Sequence, residues 1–127
     1  MASLGLPPDH TAPSRARHFV AETLRGWRLD AMVPDAELLV SELVTNAVLH
    51  AHSAAVVSLD RAGSQVRVSV SDDSSALPKL RDYGPAAVTG RGIMLVDRVA
   101  SRWGVDLDGS GKRVWFELGV PKNSITA

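Results

Sequence analysis

A carboxylate and a carboxamide lie one helical turn apart in the stretch "SELVTNAVLH", at Glu42 and Asn46. At this spacing two side chains project next to each other from the same face of a helix. A carboxylate can take a proton from a hydroxyl or a water, and an amide oxygen is a suitable ligand for Mg²⁺. Ser41 and Thr45 extend the pair into a polar stripe on an otherwise apolar helix. The stripe either faces water or forms one wall of a site.

A second carboxylate ends a row of inward-facing valines. The alternation of Val66, Val68 and Val70 places Asp72 on the same, core-facing side of a strand. A buried carboxylate is costly unless another group satisfies it. Two interpretations stay open for Asp72. It begins a loop and is held by an Asx-type turn, or it accepts a hydrogen bond from a ligand amine at the edge of the sheet.

A glycine pair occurs where a long loop enters a helix, in "TGRGIMLV". Glycines at Gly90 and Gly92 let backbone N–H groups approach an anion, and the helix dipole favours phosphate. Arg91 between them can reach a phosphate or lie on the surface, and the glycines can simply end the loop. Together, these three features indicate a nucleotide site. In such a site Asp72 would accept a hydrogen bond from the base, the glycine loop would bind phosphates, Asn46 would bind the metal and Glu42 would activate the nucleophile.

Hydrophobic periodicity predicts the elements that position these groups. Apolar residues recur at helical spacing in "TAPSRARHFVAETLRGWRL", "VPDAELLVSELVTNAVLHAH" and "RGIMLVDRVASRWG", and residues 73–90 read as a long loop. Period-two patterns predict strands in "AAVVSLD", "QVRVSVSD", "RWGVDLD" and "KRVWFELGV". In the last two strands the residues predicted to face the core are Trp103, Val105, Leu107, Val114, Phe116 and Leu118.

The order of these elements predicts an α+β fold, a two-layer α/β sandwich with a mixed, mostly antiparallel sheet covered on one face by helices. Residues 1–12 are predicted to form a flexible arm, residues 13–120 the domain, and residues 121–127 a frayed tail.

Composition excludes several classes of function. The 127 residues include 14 basic and 14 acidic side chains, so bulk charge does not favour a nucleic-acid or membrane-surface protein. The absence of cysteine excludes disulfides, thiolate catalysis and Cys-based metal sites. No apolar run is long enough to cross a bilayer, and the first residues lack the pattern of a signal peptide. We therefore expect a cytoplasmic protein with no direct nucleic-acid or membrane partner.

The motifs resemble those of histidine-kinase-like (GHKL) ATPase domains, most closely the small bacterial anti-sigma-factor serine kinases, over residues 14–120. "LLVSELVTNAVLHA" is similar to the N box of that family and is its most specific match. "VRVSVSD" resembles the segment that ends in the adenine-binding aspartate, and "GRGIMLVDRVASRWGV" the second glycine box. "GKRVWFEL" resembles the last strand.

The resemblance implies a Bergerat-type fold that binds ATP and Mg²⁺, and a role for each matching residue. Glu42 would be the general base, Asn46 the Mg²⁺ ligand and Asp72 the group that binds the adenine amine. The remaining pocket and lid residues would be His50, Ala51, Gly90, Arg91 and Gly92.

The sequence departs from the family pattern at three positions. Ser74 and Ala76 stand where the first glycine box usually has glycines, and Arg113 stands where a threonine often aids the adenine contact. Two functions therefore stay open. The first is a Mg-ATP-dependent kinase that phosphorylates a serine or threonine of an anti-anti-sigma partner. The second is a non-catalytic module that sequesters a sigma factor or another regulator. The resemblance also implies a homodimer.

Overall fold

The fold is known from a computed structural model, which describes residues 1–50, 52–72, 95–108 and 111–120 and gives only the backbone of residues 49, 50 and 108. The long helices are α1 (Ala12–Gly26) and α2 (Val33–Thr45). A 3₁₀ turn, Asp30–Met32, separates them, and a π-helical turn, Asn46–His50, extends α2. Residues 95–99 are also helical. The strands are β1 (Ala2–Leu6), β2 (Ala55–Ala62), β3 (Gln65–Asp72), β4 (Arg102–Asp108) and β5 (Gly111–Gly119).

The five strands form one sheet in the order β1-β2-β3-β5-β4, and every neighbouring pair is antiparallel. The hairpin between β2 and β3 turns at Gly63, whose φ of 59° explains the glycine at that position. Helices pack on the sheet, so the predicted α+β class and the two-layer sandwich are confirmed. Among the described strands the sheet is purely antiparallel rather than mixed.

The core lies between the helices and one face of the sheet. Leu59, Val68 and Phe116 lie side by side on β2, β3 and β5 and are fully buried. Leu24 of α1 and Leu39 of α2 are also fully buried. Each such side chain contributes roughly 1.5–3 kcal/mol through the removal of apolar surface from water. The inward positions predicted for Val114, Phe116 and Leu118 are confirmed.

The prediction of a flexible arm over residues 1–12 is wrong for its first half. Residues 2–6 form β1, an edge strand that pairs with β2, and the side chain of Leu6 is buried. Pro7 has no backbone N–H to continue the ladder, so the turn-forming residues end this strand instead of preventing it. The chain then enters α1, where the Asp9 carboxylate accepts a hydrogen bond from the backbone N–H of Thr11, the N-cap residue.

The prediction that Leu107 faces the core is also wrong, because its side chain is 64% exposed. Leu107 lies near the end of β4, which is the other edge of the sheet, and an inward position there has a strand on one side only. Trp103 and Val105, earlier in the same strand, are half-buried and pack against the core as predicted. The loop predicted over residues 73–90 and the tail predicted over residues 121–127 lie outside the described residues.

Candidate functional site

One end of the sheet brings together segments that are far apart in the sequence. Leu6, Ala55, Asp72, Lys112 and Leu107 are neighbours in register across all five strands. At this end β1 and β3 finish, β5 begins, and β2 starts shortly after the helical turn that follows α2. β4 also ends here, so antiparallel pairing brings the ends of all five strands together near the exit of a helix.

Asp72 and Lys112 form a buried ion pair in this row. Lys112 Nζ lies 3.0 Å from Asp72 Oδ1 and 3.0 Å from Asp72 Oδ2, and it donates to the carboxylate. The Asp72 side chain is 2% exposed and the Lys112 side chain 7%. The inward orientation predicted for Asp72 is confirmed. The opposite charge of Lys112 on the neighbouring strand offsets the cost of burying the carboxylate.

A cavity of about 450 Å³ opens beside this pair. Its size lies within the range of roughly 300–1,000 Å³ that small-molecule sites occupy in proteins. The lining combines the ends of β1, β2, β3 and β5 and includes both partners of the ion pair. Glu42 and Asn46 are not part of the lining. The lining residues are Gly5, Leu6, Ala54, Ala55, Val56, Ser71, Asp72, Gly111, Lys112 and Arg113.

The polar stripe of α2 is half-buried. Ser41, Glu42, Thr45 and Asn46 all have intermediate exposure, so the interpretation of a fully solvated stripe does not hold. Arg17 of α1 donates from Nη1 to Ser41 Oγ at 2.8 Å, and this bond ties one end of the stripe to the neighbouring helix. The Glu42 carboxylate has no hydrogen-bond or ion-pair partner in the described part of the chain.

Asn46 carries an unsatisfied polar atom. Its Oδ1 is enclosed and accepts no hydrogen bond from any of the described residues. A buried acceptor without a partner costs about 1–3 kcal/mol, so such an atom needs an explanation. Asn46 also begins the π-helical turn, a distortion that is frequent at functional sites. An amide oxygen in this state fits the coordination of a hard cation, and Mg²⁺ needs only one or two protein ligands when phosphates supply the rest.

The backbone between Asn46 and Asp72 explains how the two reach the same side of the sheet. The helical turn closes through a hydrogen bond of 3.2 Å from the Ser53 backbone N–H to the Ala47 carbonyl. His52, in the connection between this turn and β2, adopts a left-handed conformation with φ of 54°. The chain then enters β2 at Ala55, which pairs with Asp72. Both candidate residues thus lie on the helix-covered side.

Several candidate residues lie where the structure gives little or no description. His50 is the last residue of the π-helical turn, and only its backbone is described. Ala51 lies outside the described residues, as do Ser74 and Ala76 of the altered glycine box. The same applies to the predicted lid residues, so the roles of Gly90, Arg91 and Gly92 remain predictions.

Lys112 is the residue that the sequence analysis missed. The signal was present, because the alternation of Val114, Phe116 and Leu118 extends backwards to Lys112 on the inward face. Arg113, which stands where the family often has a threonine near the adenine, follows Lys112 and also lines the cavity, so its relation to the adenine contact stays a prediction. Arg113 faces the opposite side of the sheet, where its Nε donates to Ser71 Oγ at 3.3 Å. A lysine at the end of an apolar row is easily read as a solvated residue near a turn.

Other classes of site find no support in the described part of the chain. No three histidine, aspartate or glutamate side chains there cluster as a metal site built from protein ligands alone would require. Within the same residues no helix has the length and apolar character needed to cross a membrane.

Comparison with solved structures identifies the fold. A crystal structure of the RsbU and RsbW domains of Rv1364c from Mycobacterium tuberculosis superposes with a TM-score of 0.71 at 21% identity, covering 94% of this chain and 33% of that one. The histidine kinase domain of the blue-light-activated histidine kinase from Erythrobacter litoralis EL346 gives 0.56 at 24% identity, covering 74% of this chain and 47% of that one. This chain thus spans less than half the length of either, and the likeness establishes the fold alone.

Sequence comparison assigns the family. No curated protein matches the chain significantly. Residues 6–118, however, match the histidine kinase-like ATPase domain, a range that includes the polar stripe of α2, Asp72 and Lys112. The chain belongs to the histidine kinase-like ATPase domain family.

Proposed function

We propose that this chain binds Mg-ATP and transfers a phosphoryl group to a serine or threonine of a regulatory protein, in the manner of an anti-sigma-factor kinase. The observation that carries the proposal is the enclosed Oδ1 of Asn46, which accepts no hydrogen bond from the described residues and lies one helical turn from Glu42. Membership of the family supports ATP as the ligand. The RsbW domain of the mycobacterial neighbour motivates an anti-anti-sigma protein or a sigma factor as the partner.

The proposed chemistry assigns one task to each residue. Asn46 Oδ1 would hold Mg²⁺, and Asp72 would accept a hydrogen bond from the adenine amine. Bound Mg-ATP would supply the phosphoryl group together with the metal charge that stabilises its transfer. Glu42 would take the proton from the acceptor hydroxyl as that oxygen becomes the nucleophile. Glu42 lies in a half-buried stripe and forms no ion pair with any residue that the structure describes, which supports this role for its carboxylate.

A non-catalytic binding module is the second candidate, and the Asp72–Lys112 ion pair is the observation that favours it. Lys112 contacts both oxygens of the carboxylate that the family uses for adenine. If this contact excludes the base, the fold would serve only to bind a sigma factor or another regulator. Nucleotide binding separates the two candidates because only the kinase requires it.

Calorimetric titration with ATP, with and without Mg²⁺, tests the proposal first. The kinase predicts Mg²⁺-dependent binding in the micromolar range, and no heat at millimolar ATP would exclude it. Transfer of labelled phosphate to purified anti-anti-sigma proteins then tests the chemistry. Glu42→Gln should abolish transfer and keep nucleotide binding, whereas the control Glu37→Gln on the same helix should keep both. Light scattering would measure the homodimer that the resemblance implies.

A further inference from the structure

A row of side chains on the exposed side of α2 leads along the helix to Glu42. Asp35, Leu38 and Glu42 follow one another at intervals of three and four residues, so they lie on one face. Asp35 and Leu38 are exposed and Glu42 is half-buried, whereas Leu39 and Leu43, on another side of the helix, belong to the core. We call Asp35, Leu38 and Glu42 the outer row of α2. Its last residue is the carboxylate proposed above as the general base.

Leu38 is the apolar member of the outer row. It is 43% exposed, although the other leucines and valines of α2 are at most 5% exposed. A single exposed leucine is ordinary in a folded protein. This one lies one helical turn from Glu42, so a protein that brings a hydroxyl to Glu42 would also cover Leu38. Removal of this apolar surface from water would then favour binding of that protein.

Asp35 is the charged member of the outer row. It forms no hydrogen bond or ion pair with any described residue. It also lines a cavity of about 240 Å³, whose walls include Met32 and Leu118, two almost completely buried apolar side chains. A carboxylate beside apolar walls is complementary to lysine or arginine, whose hydrocarbon stem packs on apolar surface while the charged head stays at the rim. The chemistry of this end of the row therefore favours a basic side chain of a partner.

The helix fixes the distance between the two ends of the outer row. Seven residues separate Asp35 from Glu42 in one uninterrupted α-helix, which at 1.5 Å per residue is about 10 Å along the axis. Both the site for a cation and the site for a hydroxyl are therefore in place before a partner binds.

We infer that the outer row of α2 is the docking surface for the acceptor protein, which presents a lysine or arginine to Asp35, an apolar side chain to Leu38 and its serine or threonine hydroxyl to Glu42. This inference rests on the proposed function, because it specifies what the kinase recognises on its acceptor. The recognised cation lies about 10 Å from the hydroxyl that becomes phosphorylated. Asp35 and Leu38 are thus specificity-determining residues for the acceptor and not for the nucleotide.

Steady-state transfer of labelled phosphate from Mg-ATP to a purified anti-anti-sigma protein tests the inference on the full chain. Asp35→Lys replaces attraction by repulsion, so we expect the KM for the acceptor to rise about tenfold while kcat and the KM for ATP stay unchanged. Leu38→Ser should raise the same KM about threefold to tenfold. The control Glu37→Lys makes the same charge change on a different face of α2 and should leave this KM unchanged.

Charge reversal separates docking from stability, because Asp35 also lies in the first turn of α2, where a carboxylate stabilises the helix. Each lysine or arginine of the acceptor is changed to glutamate in turn. One such change, about 10 Å from the acceptor hydroxyl, should weaken transfer by the unmodified kinase and restore it with Asp35→Lys. A purely structural role of Asp35 would give no such rescue.

The possible results distinguish the inference from the proposed function. If the unmodified chain phosphorylates the acceptor and neither Asp35→Lys nor Leu38→Ser changes the KM for it, the inference is wrong and the kinase assignment stands. An equal rise in Glu37→Lys would also overturn the inference, since the effect would follow net charge rather than position. Should Asp35→Lys fail to fold, Asp35→Asn makes the same comparison with Glu37→Gln as its control. If the unmodified chain transfers no phosphate to any acceptor, the proposed function itself fails.

Discussion

The ammonium of Lys112 bridges both carboxylate oxygens of Asp72 at 3.0 Å, between adjacent strands and almost completely shielded from water. Along β3 and β5 the inward-facing positions before and after this pair are occupied by buried apolar side chains, so the pair lies at the end of an apolar surface. It therefore contributes to two properties at once. It satisfies two charges within the fold, and it sets the chemistry of the cavity beside it.

Breaking this pair from one side should strongly destabilise the fold. Lys112→Met or Asp72→Leu alone leaves one buried charge without its partner, at a cost of about 3–5 kcal/mol in the free energy of unfolding. The double variant should cost several kcal/mol less than the sum of the two. Urea denaturation of all four proteins measures the coupling, and the exposed Arg113→Met should change stability by less than about 0.5 kcal/mol. Additive effects would show that the two charges do not interact.

Substitution of Asn46 should affect metal binding without lowering the stability of the fold. Asn46→Leu removes an enclosed acceptor that has no partner among the described residues, so we expect the free energy of unfolding to stay within about 1 kcal/mol or to rise. The same variant should bind ATP equally with and without Mg²⁺. Denaturation and calorimetry measure the two effects. The neighbouring Thr45→Val should retain the Mg²⁺ dependence, and retention in Asn46→Leu would remove Asn46 from the metal site.

The first strand should contribute measurably to stability. Leu6 is 3% exposed, and Leu6→Ala should cost about 2–5 kcal/mol, as large-to-small substitutions in a core do. Ser3→Ala, on the outward side of the same strand, should cost less than about 0.5 kcal/mol. Thermal unfolding of the two variants makes the comparison. An equally small effect for both would indicate that residues 2–6 detach from the sheet.

Gly104 should tolerate no side chain. A Cβ at this position would lie 2.7 Å from Trp115 Cζ2, and the ring is held under the Arg67 guanidinium, 3.9 Å from its centroid. Gly104→Ala should therefore cost about 1–3 kcal/mol through overpacking. Gly5→Ala, with no atom within 4 Å of its Cβ, should be neutral or slightly stabilising. Chemical denaturation distinguishes them, and equal stabilities would mean that the tryptophan ring moves aside freely.

Much of the fold was predictable because hydrophobic periodicity reports which face of an element is buried. The period of two in "QVRVSVSD" correctly placed Asp72 on the inward side, and the spacing of Glu42 and Asn46 on a helix was confirmed. The failures occurred where periodicity is weak. Residues 2–6 form too short a strand, between turn-forming residues, for alternation to stand out. Leu107 follows the pattern, but no pattern reports that a strand lies at an edge of the sheet.

The sequence by itself determined the two long helices, strands β2 to β5, most of their buried faces and the family, since each of these depends on residues that are close along the chain or in a recognisable motif. Only the tertiary structure decided what satisfies Asp72. Its partner Lys112 lies 40 residues away and reaches it solely because β3 pairs with β5 in one particular register. A shift of that register by one residue would turn Lys112 to the outer face, and the charge balance of the cavity depends on this pairing.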